Sequence, residues 1–515
     1  MPRHSRAFTR FDTSQYQPTE GEILQPGMGL ELKGMDSDLP VNMLDPGVAR
    51  RVRNLTIRNG AYETRDGTSV IGTASTADLI HALDVGLTTG LFKMTRFHLI
   101  GVDVYNSGAW AAATNTGGFV GGITSPFAFS AWGDTLMFRA GSGKIYVLTY
   151  GPPDVVTEIA GAPSGAIHLS TFGTRAIATL ASNRVQWSVR ANNLDWAGIG
   201  SGYEDLRSSP GGRPDQAVAV VPISDETAFM VRTNSIWQIT LTGNFDAPFA
   251  FNRLYEFIGG RYSELCTAIT RGLICVNDHQ IWMVTAQGIK DISLPIRSML
   301  VAAQPYLNSA SATYDPIWRE YRLVLPGLVD TDQRIMRYSI ENDAWSEDTY
   351  DFPARSIAYT LFTTVGPSTS RPGMVYAMGN LGQLVVRDDF TRNNAALRDV
   401  NGAGAARPGG FRIETGDLRR SGNTSRKDLV EVVVWYEAQS AFILYFEYSI
   451  DGGSTWTFYS SLSVGTTTRP TPISLMVNID RPYIQIACYT DVTPTVRLIK
   501  IEPMLREAGK ITDAY

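Results

Sequence analysis

Cysteine is nearly absent from this chain of 515 residues. The three present, Cys266, Cys275 and Cys488, are too few for a disulfide scaffold and lack the spacing of a metal-binding set. They read as small buried hydrophobes, with a Cys266 to Cys275 bridge inside one hairpin as the alternative. Charge is sparse as well, at 18% of residues with a formal net charge of −5. That balance argues against a protein that wraps nucleic acid by neutralising phosphates, while an acidic wall past which DNA slides stays compatible with it. No run approaches the ~20 apolar residues of a membrane helix. Arg3, His4, Arg6 and Arg10 have no apolar run behind them, so the start does not read as a secretory signal, and synthesis and folding are expected in the cytoplasm. Helical periodicity is also scarce, residues 296–304 being the main exception.

Catalytic spacings are missing too. The five histidines, His4, His81, His98, His168 and His279, are scattered, with no HxH or HExxH pair to hold a metal. No GxSxG, CxxC or EF-hand spacing occurs. Gly141-Ser-Gly143-Lys144 resembles the end of a phosphate-binding loop, but Phe138 stands where the first glycine belongs and Ile145 follows the lysine, so it reads as a hairpin turn. Asp36-Ser-Asp38 and Asp388-Asp389 read as solvated turn carboxylates before they read as cation sites. The expectation is therefore a non-enzyme with no catalytic residues, no cofactor and no metal.

What is abundant is turn formers and aromatics: 48 Gly, 26 Pro and 10% aromatic residues. With this length they predict two to four domains built from many short strands joined by tight turns. Residues 1–45 are polar and broken by Gly and Pro, and read as an N-terminal arm that orders against something else. Residues 46–76 read as a short helix, capped by Asp45-Pro-Gly and running from Val48 to Val52, followed by a hairpin around Asn59-Gly60. From 77 to 390 a unit repeats, marked by Val104-Tyr105, Ile145-Tyr146, Val185-Gln186-Trp187, Ile236-Trp237, Ile281-Trp282, Ile335-Met336 and Leu384-Val385. Their separations of roughly 40 to 50 residues are those of four-stranded propeller blades, so six to eight blades are expected, with the aromatics filling the wedges between them. Trp237 and Trp282 are expected at equivalent inter-blade sites. Residues 391–410 read as a linker or loop, and 411–515, with seven short apolar runs, as a β-sandwich.

Ser449-Ile-Asp451-Gly-Gly453-Ser-Thr455-Trp456 spells one Asp box. The reading is structural: the Asp451 carboxylate ties the turn, Gly453 tolerates positive φ and Trp456 packs beneath the hairpin. Glu447 nearby does not make a glycosidase pair without a shared cleft. Two polar stretches are candidate interaction surfaces, weighed against solvated loops: Ser201 to Gln216, and the basic set Arg407, Arg412, Arg419, Arg420, Arg426 and Lys427.

The order of motifs resembles a known family. Asp38-Leu-Pro-Val-Asn-Met-Leu44, the strand Val52-Arg-Asn54-Leu-Thr-Ile57, Asn59-Gly60 and Arg65-Asp-Gly67-Thr68 are similar to the opening of tail nozzle or tail hub proteins of short-tailed bacteriophages, the packaged-DNA stabilisation proteins. Asn193 to Gly200 with Asp195-Trp196, the DGGSTW hairpin and the last strand ending Glu502-Pro-Met-Leu-Arg506-Glu-Ala-Gly509 continue the likeness. Asp66 departs from the proline common in that family's Arg-Pro-Gly-Thr turn. The resemblance implies a virion protein in a ring of six copies, attached to portal-adaptor proteins, supporting tail fibres or spikes, touching the host envelope at its distal end, and passing DNA without sequence-specific binding. The competing readings are a carbohydrate-binding or carbohydrate-cleaving propeller, prompted by the Asp box and the tryptophans, and a peptide-binding propeller scaffold.

Overall fold

The computed structural model describes residues 24–26, 33–39, 44 and 48–510, except 59, 66, 74–79, 89–90, 99–100, 107–108, 117–127, 133–134, 140–142, 152, 207–213, 326–333, 351–353, 364–370, 379–383, 390–398, 401–405, 408–409, 417–424, 480–483 and 493–494. The fold is all-β, a propeller joined to a sandwich, with one α-helix among the described residues, Arg297–Ala303.

Seven antiparallel meanders follow one another along the chain: blade 1 at residues 80–112, blade 2 at 128–158, blade 3 at 166–205, blade 4 at 217–256, blade 5 at 267–291, blade 6 at 311–349 and blade 7 at 354–389. The first strand of each blade packs on the first strand of the next, and that of blade 7 returns to that of blade 1, so the ring is closed. Blade 7 draws only three strands from its own stretch. Its outermost strand is Gly67–Thr73, paired antiparallel with Leu384–Asp389. The seven repeat markers all fall in the third strand of their blades.

Side chains alternate along each strand, so every blade feeds two cores. In blade 2, Leu136 and Phe138 face a cluster shared with Val102 and Val104 of blade 1, whereas Met137 and Val147 face one shared with Leu169 and Ala176 of blade 3. Second strands such as Arg175–Leu180, Gly272–Val276 and Glu320–Leu325 are consequently buried along their whole length. Outer strands such as Gly202–Asp205 are largely exposed. The Gly143-Lys144 stretch is the end of a hairpin within blade 2, with Arg139 opposite Ile145 and Lys144 paired to Glu158 at 2.8 Å.

The seven C-terminal strands, Arg412–Thr415, Ser425–Ala438, Phe442–Ser449, Thr457–Val464, Thr467–Ile479, Gln485–Tyr489 and Val496–Lys510, form two facing sheets. N-terminal strands complete both. Leu55–Arg58 and Ala61–Thr64 pair as a hairpin whose second strand joins Val496–Lys510. Ala49–Arg53 joins Arg412–Thr415. Ala49–Arg53 is therefore strand where a helix over Val48 to Val52 was expected. The local cap signal lost to a long-range ladder that satisfies the same backbone groups. Residues 45–47, which carry that signal, lie outside the described residues.

Ala49–Arg53 also lies parallel to blade 6, with Arg53 opposite Glu347. The four strands of blade 6 and five of the sandwich thus make one nine-stranded sheet. One apolar core runs with it, from Ile274 and Ile281 of blade 5 through Tyr321, Met336 and Trp345 of blade 6 to Val432, Phe446 and Leu498 of the sandwich.

The expected arm at 1–45 needs a correction where it is described. Met35 is 3% exposed in that shared core and its amide donates to the Trp345 carbonyl. Leu24–Pro26 pairs with Met504 to Arg506. Apolar burial of Met35 and ladder bonds order these stretches within the chain itself, and residues 1–23 lie outside the description.

Trp237 and Trp282 sit at matching third-strand positions, half-buried against successive inter-blade clusters. Trp345 is 1% exposed and its indole N–H donates to the Ile292 carbonyl at 2.6 Å. Truncation of Trp345 to Ala should therefore cost about 3 to 5 kcal/mol, and Trp237→Ala or Trp282→Ala roughly half as much. Urea unfolding midpoints of the three variants check this ranking.

Candidate functional site

The Asp-box hairpin joins Phe442–Ser449 to Thr457–Val464 at the sandwich edge. Asp451 Oδ1 accepts from the Thr455 amide at 2.9 Å and Oδ2 from the Thr455 hydroxyl at 2.6 Å; Ser449 Oγ accepts from the Gly453 amide at 2.9 Å. Gly452 and Gly453 both hold positive φ, 73° and 85°. The Thr455 hydroxyl and amide, with Ser449, favour the charged carboxylate and hold Asp451 down to about 2. The carboxylate is thus committed to the turn.

The basic set does not gather into one loop. Arg407 lies in a two-residue strand paired with Asp399–Val400. Arg426 and Lys427 open the strand Ser425–Ala438, where Lys427 stands opposite Glu507. Arg419 and Arg420 lie outside the described residues. Arg412 is engaged within the sandwich: Nε donates to Glu414 at 2.7 Å, Nη1 to Glu447 at 2.8 Å, and the guanidinium lies 4.9 Å from the Trp456 ring centre. Glu414 and Glu447 share one arginine, an arrangement that ties two strands together. Of the Ser201 to Gln216 stretch, Gly202–Asp205 is the outer strand of blade 3 and residues 207–213 lie outside the description. Asp215 is buried, accepting from the Ser235 hydroxyl at 2.6 Å and the Asn234 amide at 2.8 Å.

A charged cluster that motif reading did not single out as a site lies at the junction of propeller and sandwich. Glu347, fully buried on blade 6, pairs with Arg51, with Arg53 at 3.1 Å and with Arg334 at 3.7 Å. On the neighbouring strands Arg322 meets Glu320 at 3.1 Å and Asp315 at 3.4 Å, and Arg337 meets Asp348. Asn54, at φ 55°, is the corner where the chain leaves one sandwich sheet for the other. Its amide group donates to the Gly410 carbonyl at 2.7 Å, while its carbonyl oxygen accepts from the Thr349 amide at 2.9 Å and from Arg65 Nε at 3.2 Å. Asn54 and Arg65 are two of the residues on which the family resemblance rests, and the structure brings both to this junction. The signal in the sequence was their spelling, without any hint that they meet blade 6.

Burial alone would raise Glu320, but Arg322, Arg337 and Arg58, together with the Thr56 hydroxyl, outweigh it and hold the carboxyl at about 2. Glu347 is lowered in the same way: the Arg51, Arg53 and Arg334 charges overcome the cost of burying it. The arrangement locks two bodies in one orientation. Among the described residues no group of three His, Cys, Asp or Glu side chains gathers as a metal site, and all three cysteines are free.

No protein-family model and no curated protein matches the chain. Among solved structures, the WD40 β-propeller domain of Doa1 aligns with 63% of this chain and 98% of its own length, at 10% identity and a TM-score of 0.41. BamB from Moraxella catarrhalis aligns with 72% of this chain and 98% of its own length, at 10% identity and a TM-score of 0.37.

Because Glu320 in the folded state titrates below its ordinary value of 4.5, its contribution to stability is complete above pH ~4.5 and is lost as pH falls towards ~2. The unfolding midpoint should drop through that window. Glu320→Gln, already less stable at neutral pH because Arg322 and Arg337 each lose one of the carboxylates they meet, should lose less on acidification. Thermal melts of both proteins between pH 7 and pH 2 measure this. At the hairpin, Asp451→Ala should speed hydrogen exchange of the Thr455 amide while leaving the sandwich core protected, read by exchange mass spectrometry.

Proposed function

We propose that this chain is a structural subunit of a bacteriophage tail, a nozzle or hub that extends the portal-adaptor channel, helps retain and then conduct packaged DNA, and supports fibres or spikes. The observation that supports it best is the junction, where a nine-stranded sheet and a buried ion cluster fuse propeller and sandwich into one stiff body. A wall that encloses DNA must keep its parts in fixed orientation while the duplex moves past. A sheet continuous across two domains supplies that, since bending it means breaking ladder hydrogen bonds and exposing a shared core. The likeness of the opening motifs to tail nozzle proteins supports the same reading, and the net charge of −5 disfavours adhesion of the duplex to the wall. In this reading six copies form the ring, in the virion, bound to the portal-adaptor proteins above and to fibres or spikes at the side.

Residues 33–39 belong to the shared core, so an N-terminal truncation that tests assembly ends before Leu24. The chain lacking residues 1–23 should fold with an unchanged melting midpoint yet fail to join the ring. Electron microscopy of particles complemented with each form reads the outcome. Sixfold rings at the tail that contain the full chain are expected; a full chain absent from purified particles and monomeric at every concentration overturns the proposal.

A further inference from the structure

A cleft of about 760 Å³ opens between blades 3 and 4, on the face that bears the turns between first and second strands and between third and fourth strands. Its size falls within the ~300–1,000 Å³ of ligand-holding clefts. Exposed apolar side chains crowd its rim. Phe245 is 48% exposed and Leu241 38%, and on the adjoining loop Ile199 is 87% exposed. The Phe245 ring lies over Gly200, where a methyl group would fall 2.5 Å from it, and so packs against the loop that carries Ile199.

The loop that presents Ile199 is fixed in place. Trp196, 3% exposed, anchors it in the core between blades 2 and 3. Asp195 Oδ1 accepts from the amides of Ala197 and Gly198 at 3.1 and 2.8 Å. From beneath, Arg175 Nη1 donates to the carbonyls of Ser188 at 2.8 Å and Gly200 at 2.6 Å. The loop against which Phe245 packs is therefore held before anything binds, so an occupant of the cleft need not order it.

The charges of the cleft are divided by blade. Blade 3 contributes buried Arg175 and exposed Arg190, while the turn of blade 4 contributes exposed Asp225 and Glu226. Arg190, Asp225 and Glu226 form no ion pair among the described residues. Burial, and then repulsion from Arg190, weaken the hold of Arg175 on its proton, so a carboxylate arriving at this wall relieves two cations at once.

We propose that this cleft binds an extended peptide segment of a partner protein, one that lays an apolar side chain against Phe245 and Leu241 with a carboxylate on the Arg190 side and a basic group on the Asp225 and Glu226 side. The charge division selects this occupant. An uncharged sugar would leave all three free charges without partners, and a nucleic acid strand would be repelled by the two carboxylates. An extended peptide offers acidic, apolar and basic side chains at short spacing along one edge, and the preformed loop keeps the ordering cost low. The inference stands apart from the tail reading, since any assembly in which this face meets a protein would satisfy it.

The test uses the full chain and a synthetic library of short fluorescent peptides. In each, one Leu, Ile, Phe or Trp is flanked at varied spacing by Glu on one side and Lys on the other, with matched sets in which the apolar residue is Ser or both charges are Ala. Anisotropy should find binders only in the parent set. Arg190→Glu and Phe245→Ser should each weaken them roughly tenfold or more, with circular dichroism unchanged because both side chains are well exposed. Phe257→Ser, a 72% exposed aromatic at the far end of blade 4, should bind like the parent. Any of three results overturns the proposal: no peptide binds, the Ser or Ala sets bind equally, or Arg190→Glu retains full affinity. Self-association of the parent chain that Phe245→Ser abolishes would also overturn it, by assigning the cleft to a second copy.

Discussion

A blade of four strands has two apolar faces, and each is buried only by another blade. Everything else in this molecule follows from that constraint. It requires a ring, the ring requires a join, and the join here is a strand borrowed from near the start of the chain, Gly67–Thr73, laid on the outside of blade 7. Because the chain must enter at the outer edge of the last blade, its preceding strands are left beside blade 6, where Ala49–Arg53 extends the sheet and seeds the sandwich. The C-terminal strands then return to the same place and complete both sandwich sheets.

The ion cluster at the junction is a result of that geometry. Extending a blade outward buries its former edge, so the polar side chains of Ala344–Thr349 come to lie inside the protein. Glu347 and Asp348 are 0% exposed and must be neutralised, and arginines from both domains do it. Such pairs contribute modestly to net stability because desolvation offsets most of the attraction, but breaking one leaves an uncompensated charge. Their effect here is to make any other relative orientation of the two domains costly.

Much of this was legible in the sequence where the signal is local. Ile236-Trp237 and Ile281-Trp282 marked a strand of each repeat because an aliphatic residue and an aromatic on alternate faces are what two neighbouring cores require. DGGSTW marked its turn because Asp451, Gly453 and Thr455 make their bonds within seven residues of Ser449. The misread places all depend on distant partners. Val48 to Val52 had a helix cap signal in front of it, and Ala49–Arg53 became strand because Arg412–Thr415 offered a ladder. Met35 looked like part of a polar arm, and its burial comes from Trp345 and Ala49. Arg412 looked like surface charge, but Glu414 and Glu447 enclose it. The exposed Ile199 had no sequence signal at all, since an apolar residue in a turn gives no indication of which way it points.

The pairing of Leu24–Pro26 with Met504 to Arg506 bears on how the chain comes to be folded. During synthesis the strands at 24–73 leave the ribosome before the blades, yet their partners emerge only after them. Blades 2 to 5 find their neighbours in sequence and can stack as they appear. The early strands must wait, with their edges open, until blades 6 and 7 and then the final sandwich strands arrive. Long-range pairing of this kind is slow, and open edges are prone to join with other chains. Ring closure and sandwich completion are therefore one late, shared event, and the interval before it is when a nascent chain of this design most needs shielding.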